Sequence, residues 1–215
     1  MTLAQIAHRV RQDHLEIFGA FHTLPEDPIG TGTLVMLGPR EPGFWTHMSD
    51  SAEFQDGTVD PLERWSERVI SRTAKDLGGE PHFPFGAPPK PFTTWAIRTG
   101  RAWPSPVVLL VHDTAGLMVS YRGAILVPDV LVLPETGPQP CEACEDKPCL
   151  TACPVSALTD NGYNLKLCHS FLDIETGANC MENGCAVRRS CPAGVNYHRL
   201  NAQSAYHMRR FHPCR

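Results

Sequence analysis

The sequence predicts an α+β protein, with a mixed α/β domain over residues 1–138 and a small cysteine-rich domain over residues 139–215. Three observations support this. Helical and strand patterns alternate along the first domain. Eight cysteines fall between Cys141 and Cys191, whereas the residues before them contain none. The length of 215 residues suits one large domain with a smaller addition.

The first domain opens with an amphipathic pattern. Over residues 2–13, Leu3, Ile6 and Val10 recur at helical spacing and Thr2 is available as an N-cap, so this segment predicts a helix. Residues 14–21 and 33–38 are rich in apolar and β-prone residues and predict two strands.

A second helix is predicted over residues 61–77. Asp60 is a suitable N-cap and Pro61 suits the first helical position. Its apolar residues recur at helical spacing, and Gly78-Gly79 provides the stop.

The remainder of the first domain is less regular. Residues 80–91 contain five prolines and predict a loop, followed by a short helix over residues 92–99. Residues 106–112 predict a strand that pairs in a hairpin with residues 117–126, with the turn at residues 114–116. Near the C-terminus, a helix is predicted from about Val195 to Phe211.

Composition and charge restrict the partners. The net charge of -4 makes nucleic acid an unlikely partner, and no apolar run has the roughly 20 residues that a membrane helix needs. The first residues have no signal-peptide core, so a cytoplasmic location is expected. Six arginines and no acidic residue lie from Arg188 to Arg215, which indicates either a solvated surface or a docking site for an acidic redox partner or anionic substrate.

The cysteines form two runs that each end in Cys-Pro. The first has the spacing C-x2-C-x4-C-x3-C-P and comprises Cys141, Cys144, Cys149 and Cys153-Pro154. It is similar to the bacterial ferredoxin run C-x2-C-x2-C-x3-C-P, with two more residues in the second interval. The second run comprises Cys168, Cys180, Cys185 and Cys191-Pro192.

In the ferredoxin run, three thiolates hold one cluster and the fourth holds the other. The two Cys-Pro endings imply the same exchange here, giving two [4Fe-4S] clusters. The first cluster is assigned to Cys141, Cys144, Cys149 and Cys191. The second is assigned to Cys153, Cys168, Cys180 and Cys185. The alternatives are disulfides, zinc, or one cluster with spectator cysteines, and Cys214 is expected to be an ordinary thiol.

Two further patterns resemble a known family. The segment Lys166-Leu-Cys168-His-Ser-Phe-Leu-Asp-Ile-Glu175 lies between the two Cys-Pro elements. Upstream, residues 108–112 are followed by Gly116, Gly123 and Pro128. Together, over about residues 105–195, they resemble the iron-sulfur half of epoxyqueuosine reductase and its relatives, the cobalamin-dependent reductive dehalogenases.

The resemblance implies a nitroreductase-like, cobalamin-reductase-like first domain, which binds cobalamin in that family, and a ferredoxin-like second domain that supplies electrons. Two elements of the family pattern are absent. Residues 82–88 lack the acidic proton donor, and residues 100–105 lack the glycine-lysine element. Epoxyqueuosine reduction itself is therefore not expected, and the sequence leaves cobalamin, flavin and no further cofactor open for the first domain.

Two main functions remain at this point. The chain is either a reductase, in which the clusters relay single electrons to a small-molecule substrate or cofactor in the first domain, or a non-catalytic electron carrier with a degenerate first domain. Both imply an electron donor or acceptor protein as partner. Clusters that only stabilise the fold are a third alternative.

Overall fold

The computed structural model describes residues 1–212. It is 39% helical and 16% strand, which confirms the predicted α+β class. The α-helices are α1 Leu3–Arg11, α2 Phe44–Ser49, α3 Ala52–Gln55, α4 Pro61–Asp76, α5 Phe92–Arg98, α6 Leu165–Leu172, α7 Ala178–Asn183, α8 Ala186–Arg189 and α9 Asn201–Phe211. The strands are β1 Leu15–His22, β2 Thr33–Pro39, β3 Glu80–His82, β4 Ala102–Pro104, β5 Leu110–His112, β6 Gly123–Val127, β7 Leu158–Thr159 and β8 Gly162–Tyr163. Short 3-10 helices span Pro148–Leu150, Glu175–Gly177 and Pro192–Tyr197.

Backbone contacts divide the chain into two compact units. Unit 1 comprises Met1–Arg101 and Ser120–Gly137. Unit 2 comprises Ala102–Val119 and the described chain from Pro138 onward. Residues 102–119, which the sequence analysis assigns to the first domain, therefore belong to the cysteine-rich unit.

Unit 1 contains an antiparallel sheet with the strand order β1-β2-β6-β3. All residues of the inner strands β2 and β6 are buried, because both faces of these strands are covered. Helix α1 begins as predicted, since the Gln5 amide donates to the Thr2 hydroxyl and the Thr2 amide donates to the Gln5 side chain. Strands β1 and β2 and helices α1 and α5 confirm the corresponding predictions within one or two residues.

Helix α4 confirms the predicted second helix and corrects its N-terminus. Asp60 lies in the left-handed region, with φ of 53°, and its side chain makes no capping hydrogen bond. Its carbonyl oxygen instead accepts a hydrogen bond from the Arg64 amide at 3.0 Å. At the other end, Gly78 has φ of +66° and the Gly79 amide donates to the Ala74 carbonyl at 2.8 Å, so the glycine stop is confirmed.

The predicted hairpin between residues 106–112 and 117–126 is wrong. Strand β5 pairs with β4, whereas β6 pairs with β2 and β3 on its two edges. Pro106 lacks an amide hydrogen and Val108 has φ of +55°, so the first half of the predicted strand is not extended. With both edges already paired, β6 has no edge left for residues 106–112.

Two further boundaries differ from the sequence predictions. Residues 80–82 of the predicted loop form β3, because they add to the free edge of β6 with Pro81 opposite Ile125. The C-terminal helix begins at Asn201 rather than near Val195. A 3-10 helix precedes it, and His198 interrupts the helical backbone with φ of 57°. No helix among residues 1–212 has the length and apolarity needed to cross a membrane.

Unit 2 is built around a small apolar core. Its buried members are Val107, Val111, Leu117, Cys149, Leu158 and Val187. Segment 102–119 contributes three of these six side chains, which explains why it belongs to this unit. Four other cysteines pack against the same core, namely Cys141, Cys153, Cys185 and Cys191.

One buried histidine gives unit 1 a predicted pH dependence. His82 is 4% exposed, and within the described residues its Nε2 has no hydrogen-bond partner. Burial lowers the pKa of His82 from 6.5, and Lys90 lowers it further against an opposing effect of Glu80. As the pH falls below 6.5, His82 takes up a proton in the unfolded chain but stays neutral in the folded chain until the pH is lower. The free energy of unfolding is therefore expected to decrease, by at most about 1.4 kcal/mol per pH unit for one proton.

Denaturant titrations at pH 7.5 and 5.5 test this expectation. His82→Phe keeps the ring beside Trp95, whose centroid lies 5.8 Å away, and should reduce the loss of stability at the lower pH. Some loss should persist, because burial and His47 also lower the pKa of His14. Substitution of the exposed His8 with Gln is the control, and an equal pH effect in both variants would contradict the role of His82.

Candidate metal centre

Four thiols of unit 2 line one cavity of about 630 Å³. They are Cys141, Cys144, Cys149 and Cys191. Cys149 is buried, and the other three are half-buried. Most other lining residues are apolar or belong to the 140–149 loop: Ser105, Pro106, Val111, Asp113, Leu117, Pro140, Ala143, Glu145, Asp146, Lys147, Pro148, Pro192 and Ala193.

The local sequence explains how the loop directs Cys149 inward. Lys147 is left-handed, with φ of 40°, and Pro148 occupies the first position of a 3-10 turn. The Leu150 amide donates to the Lys147 carbonyl at 3.0 Å and closes this turn. The interval between Cys144 and Cys149, which is two residues longer than in the ferredoxin run, therefore ends in a well-defined turn.

Cys191 is positioned by a close approach of two backbone segments. The turn His112–Gly116 is closed by two backbone hydrogen bonds, of 2.9 and 3.1 Å. A Cβ atom on Gly116 would lie 2.5 Å from the Gly194 nitrogen and 3.0 Å from the Cys191 Sγ. Only glycine fits there, particularly since its φ is +53°. Segment 102–119 thus supports the fourth thiol as well as the core.

The thiols of this first set influence one another electrostatically. Burial raises the pKa of Cys141, and negative charge on Cys191, Cys149 and Cys144 raises it further, while Lys147 lowers it. Burial likewise raises the pKa of Cys149, with additional effects of Cys191 and Cys144, whereas hydrogen bonds from the backbone amides of Cys149 and Leu150 lower it. Four thiolates at this site would repel each other, so a cationic group that binds all four would be stabilised there.

The second set of thiols also lies together. Burial raises the pKa of Cys168, and negative charge on Cys185, Cys153 and Cys180 raises it further. Cys153 follows the first 3-10 helix, and the helices α6 and α7 carry Cys168 and Cys180. Cys185 is the residue at which α8 begins.

Hydrogen-bond donors point at two sulfurs of the second set. The Ala157 amide donates to the Cys153 Sγ at 3.2 Å. The Tyr163 hydroxyl donates to the Cys168 Sγ at 3.3 Å and opposes the rise of the Cys168 pKa. Donors of this kind are typical of thiolates that bind metal, because they stabilise negative charge on sulfur.

The secondary structure explains the placement of Cys168 and Cys180. The Asn164 side chain accepts a hydrogen bond from the Leu167 amide at 3.0 Å, so α6 begins at Leu165 and carries Cys168 as its fourth residue. Gly184 ends α7 with φ of +91°, where a Cβ atom would lie 2.7 Å from the Ser204 Cβ. This close contact holds α7 against α9.

The structure thus brings together the members of each predicted set, with Cys153 and Cys191 exchanged between the two runs. All eight of these cysteines are free thiols. Among residues 1–212, no group of three or more His, Cys, Asp or Glu side chains is placed so that it could hold a metal ion. That the sets bind clusters stays a prediction, and Cys214 lies outside the described residues.

Three arginines of the basic C-terminal segment serve unit 2 itself. Arg188 donates to the Leu117 carbonyl at 2.5 Å, and Arg199 donates to the Met118 carbonyl at 2.9 Å. Arg189 donates to the Gly184 carbonyl at 3.0 Å. Arg188 and Arg199 therefore join the part of unit 2 after residue 138 to segment 102–119, and Arg189 binds the end of α7. The sequence indicated only that these residues are positively charged.

Sequence reasoning did not identify Tyr163 or Arg188 as parts of the site. Tyr163 precedes Cys168 by five residues, and this spacing has no established meaning. Comparison of the chain with family models, with curated proteins and with solved structures gives no match. The likeness to epoxyqueuosine reductase thus depends on the residues quoted above.

Proposed function

We propose that the chain is an iron-sulfur redox protein that holds two [4Fe-4S] clusters. Cys141, Cys144, Cys149 and Cys191 would hold the first, and Cys153, Cys168, Cys180 and Cys185 the second. The observation that supports this most strongly is the grouping of eight thiols into two sets of four across the two cysteine runs. A [4Fe-4S] cluster takes four thiolate ligands, so the donor type and number fit.

The alternatives are less well supported. Eight free thiols argue against the disulfide interpretation. A zinc ion with Zn–S bonds of about 2.3 Å needs four sulfurs around one point. The Cys-Pro ending of both cysteine runs matches the ferredoxin run rather than a zinc site. We therefore favour a group that takes one thiolate on each of four metals.

The protein residues would perform three tasks at these sites. The apolar core of unit 2 shields the thiols that pack against it, among them Cys149 and Cys153. The amide of Ala157 and the hydroxyl of Tyr163 stabilise charge on sulfur. The turn 112–116 holds Cys191. When bound, [4Fe-4S] clusters supply single-electron transfer at potentials that these contacts adjust.

We favour a reductase related to the epoxyqueuosine reductase family, acting in the cytoplasm on a substrate other than epoxyqueuosine. Unit 1 has its own four-stranded sheet with two fully buried strands, which is more structure than an electron carrier requires. Cobalamin or flavin would be its cofactor. The second candidate is an electron carrier without a cofactor in unit 1, because the proton donor and the glycine-lysine element are absent.

Anaerobic reconstitution followed by metal analysis tests the proposal. We expect about eight iron and eight sulfide per chain, as two four-iron clusters require. Cobalt and flavin are quantified in the same sample. A stoichiometric corrinoid or flavin would support the reductase, and neither would favour the carrier.

The matched control is Cys214→Ser, which removes the one cysteine outside both sets. This variant should keep the full iron content. About four iron per chain in the unmodified protein would contradict the two-cluster proposal. One or two zinc ions per chain with no sulfide would instead support a zinc protein.

A further inference from the structure

Tyr163 is held in place from two sides in the second thiol set. Its ring stacks on Phe211, with centroids 6.1 Å apart and planes at 14°. Its hydroxyl donates to the Cys168 Sγ at 3.3 Å. A tyrosine phenol is protonated at neutral pH, so the hydroxyl is a hydrogen-bond donor to this sulfur.

A guanidinium lies at the same site. Arg188 belongs to α8, which begins at Cys185, and it interacts electrostatically with both Cys185 and Tyr163. Its Nη1 donates to the Leu117 carbonyl at 2.5 Å, which fixes the charge in place. The side chain is half-buried, so water screens this charge less than that of an exposed arginine.

The first thiol set has a different electrostatic environment. Three carboxylates, those of Asp113, Glu145 and Asp146, line its cavity. The only cation among the residues that line this cavity is Lys147. Lys147, Glu145 and Asp146 are exposed, and Asp113 is half-buried. The side-chain charges around the cavity are therefore mainly negative, although the backbone amides of Cys149 and Leu150 donate to the Cys149 sulfur, so this set also has hydrogen-bond donors.

We propose that Tyr163 and Arg188 make the site of Cys153, Cys168, Cys180 and Cys185 the more readily reduced of the two. This inference rests on the two-cluster function proposed above. Reduction adds negative charge to a thiolate-bound cluster. Hydrogen bonds to sulfur and a nearby cation stabilise that charge and raise the potential, whereas carboxylates lower it.

A redox titration followed by EPR tests the proposal on the reconstituted full-length protein. We expect two midpoint potentials, and single-cysteine variants of each set assign them. Tyr163→Phe keeps the ring on Phe211 but removes the donor. At a fixed potential it should decrease the reduced-to-oxidised ratio of the second site about tenfold, equivalent to about 59 mV for one electron, and leave the first site unchanged.

Tyr121→Phe is the matched control, since Tyr121 belongs to unit 1 and packs edge-on against Phe18. It should shift neither midpoint. If Tyr163→Phe loses the second cluster, Arg188→Gln is measured instead and should shift the same midpoint downward. An unchanged second midpoint in the loaded variant, or a higher midpoint at the first site, would overturn this inference and leave the proposed function intact. Fewer than two clusters in the unmodified protein would overturn the proposed function itself.

Discussion

Cys153→Ser is expected to abolish the second cluster and to leave the first in place, although Cys153 belongs to the first cysteine run. Its thiol is a neighbour of Cys168, whereas Cys191 lines the cavity with Cys141 and Cys144. Iron should fall from about eight to about four per chain, since each four-iron cluster takes four thiolates. EPR of the reduced variant should keep the signal of the first site.

Cys191→Ser is the reciprocal experiment. It should abolish the first cluster and keep the second, although Cys191 belongs to the second run. The two variants together separate the exchanged arrangement from one in which each run holds its own cluster. If Cys153→Ser abolished the same EPR signal as Cys141→Ser, the exchange would be wrong.

If unit 2 binds the two proposed clusters, their removal is expected to unfold unit 2 and to leave unit 1 folded. The elements of unit 2 are short: β7 and β8 have two residues each, and α8 has four. Elements of this length are not stable without tertiary contacts, and the core that joins them has six fully buried members. Ligation of the proposed clusters would therefore supply several kcal/mol of folding free energy in this unit.

Hydrogen exchange before and after chelation measures this effect residue by residue. Amides of α6 and α7 should lose their protection by a factor of at least about 100, which corresponds to roughly 2.7 kcal/mol. Amides of β2 and β6 provide the internal control and should keep theirs. Equal protection of unit 2 in both samples would show that its fold does not depend on metal.

Several elements could be predicted because their signals are local. Helix α4 follows from the apolar spacing between Pro61 and the Gly78-Gly79 stop, and β2 follows from its run of apolar residues. The cap of α4 could not be predicted in the same way. Asp60 adopts a left-handed conformation, which depends on how the preceding chain approaches the helix.

The pairing partners of strands β5 and β6 could not be predicted from the sequence for a related reason. Both segments have β-prone residues, so a hairpin between neighbours is the simplest expectation. Which strands pair depends on which strand edges lie side by side in the folded chain and are still unpaired. Strand β6 fills the position between β2 and β3, while segment 102–119 places Val107 and Val111 in the cysteine-rich core.

By itself, the sequence determined the mixed class, the number of thiols and their order in two Cys-Pro runs, because these properties reside in composition and spacing. The tertiary structure alone decided which thiols are neighbours, that segment 102–119 supports Cys191, and that Tyr163 and Arg188 approach Cys168 and Cys185. Contacts between residues far apart in the chain depend on the direction of each turn. A few left-handed residues, such as Val108 and Lys147, set those directions, and no periodic pattern marks them.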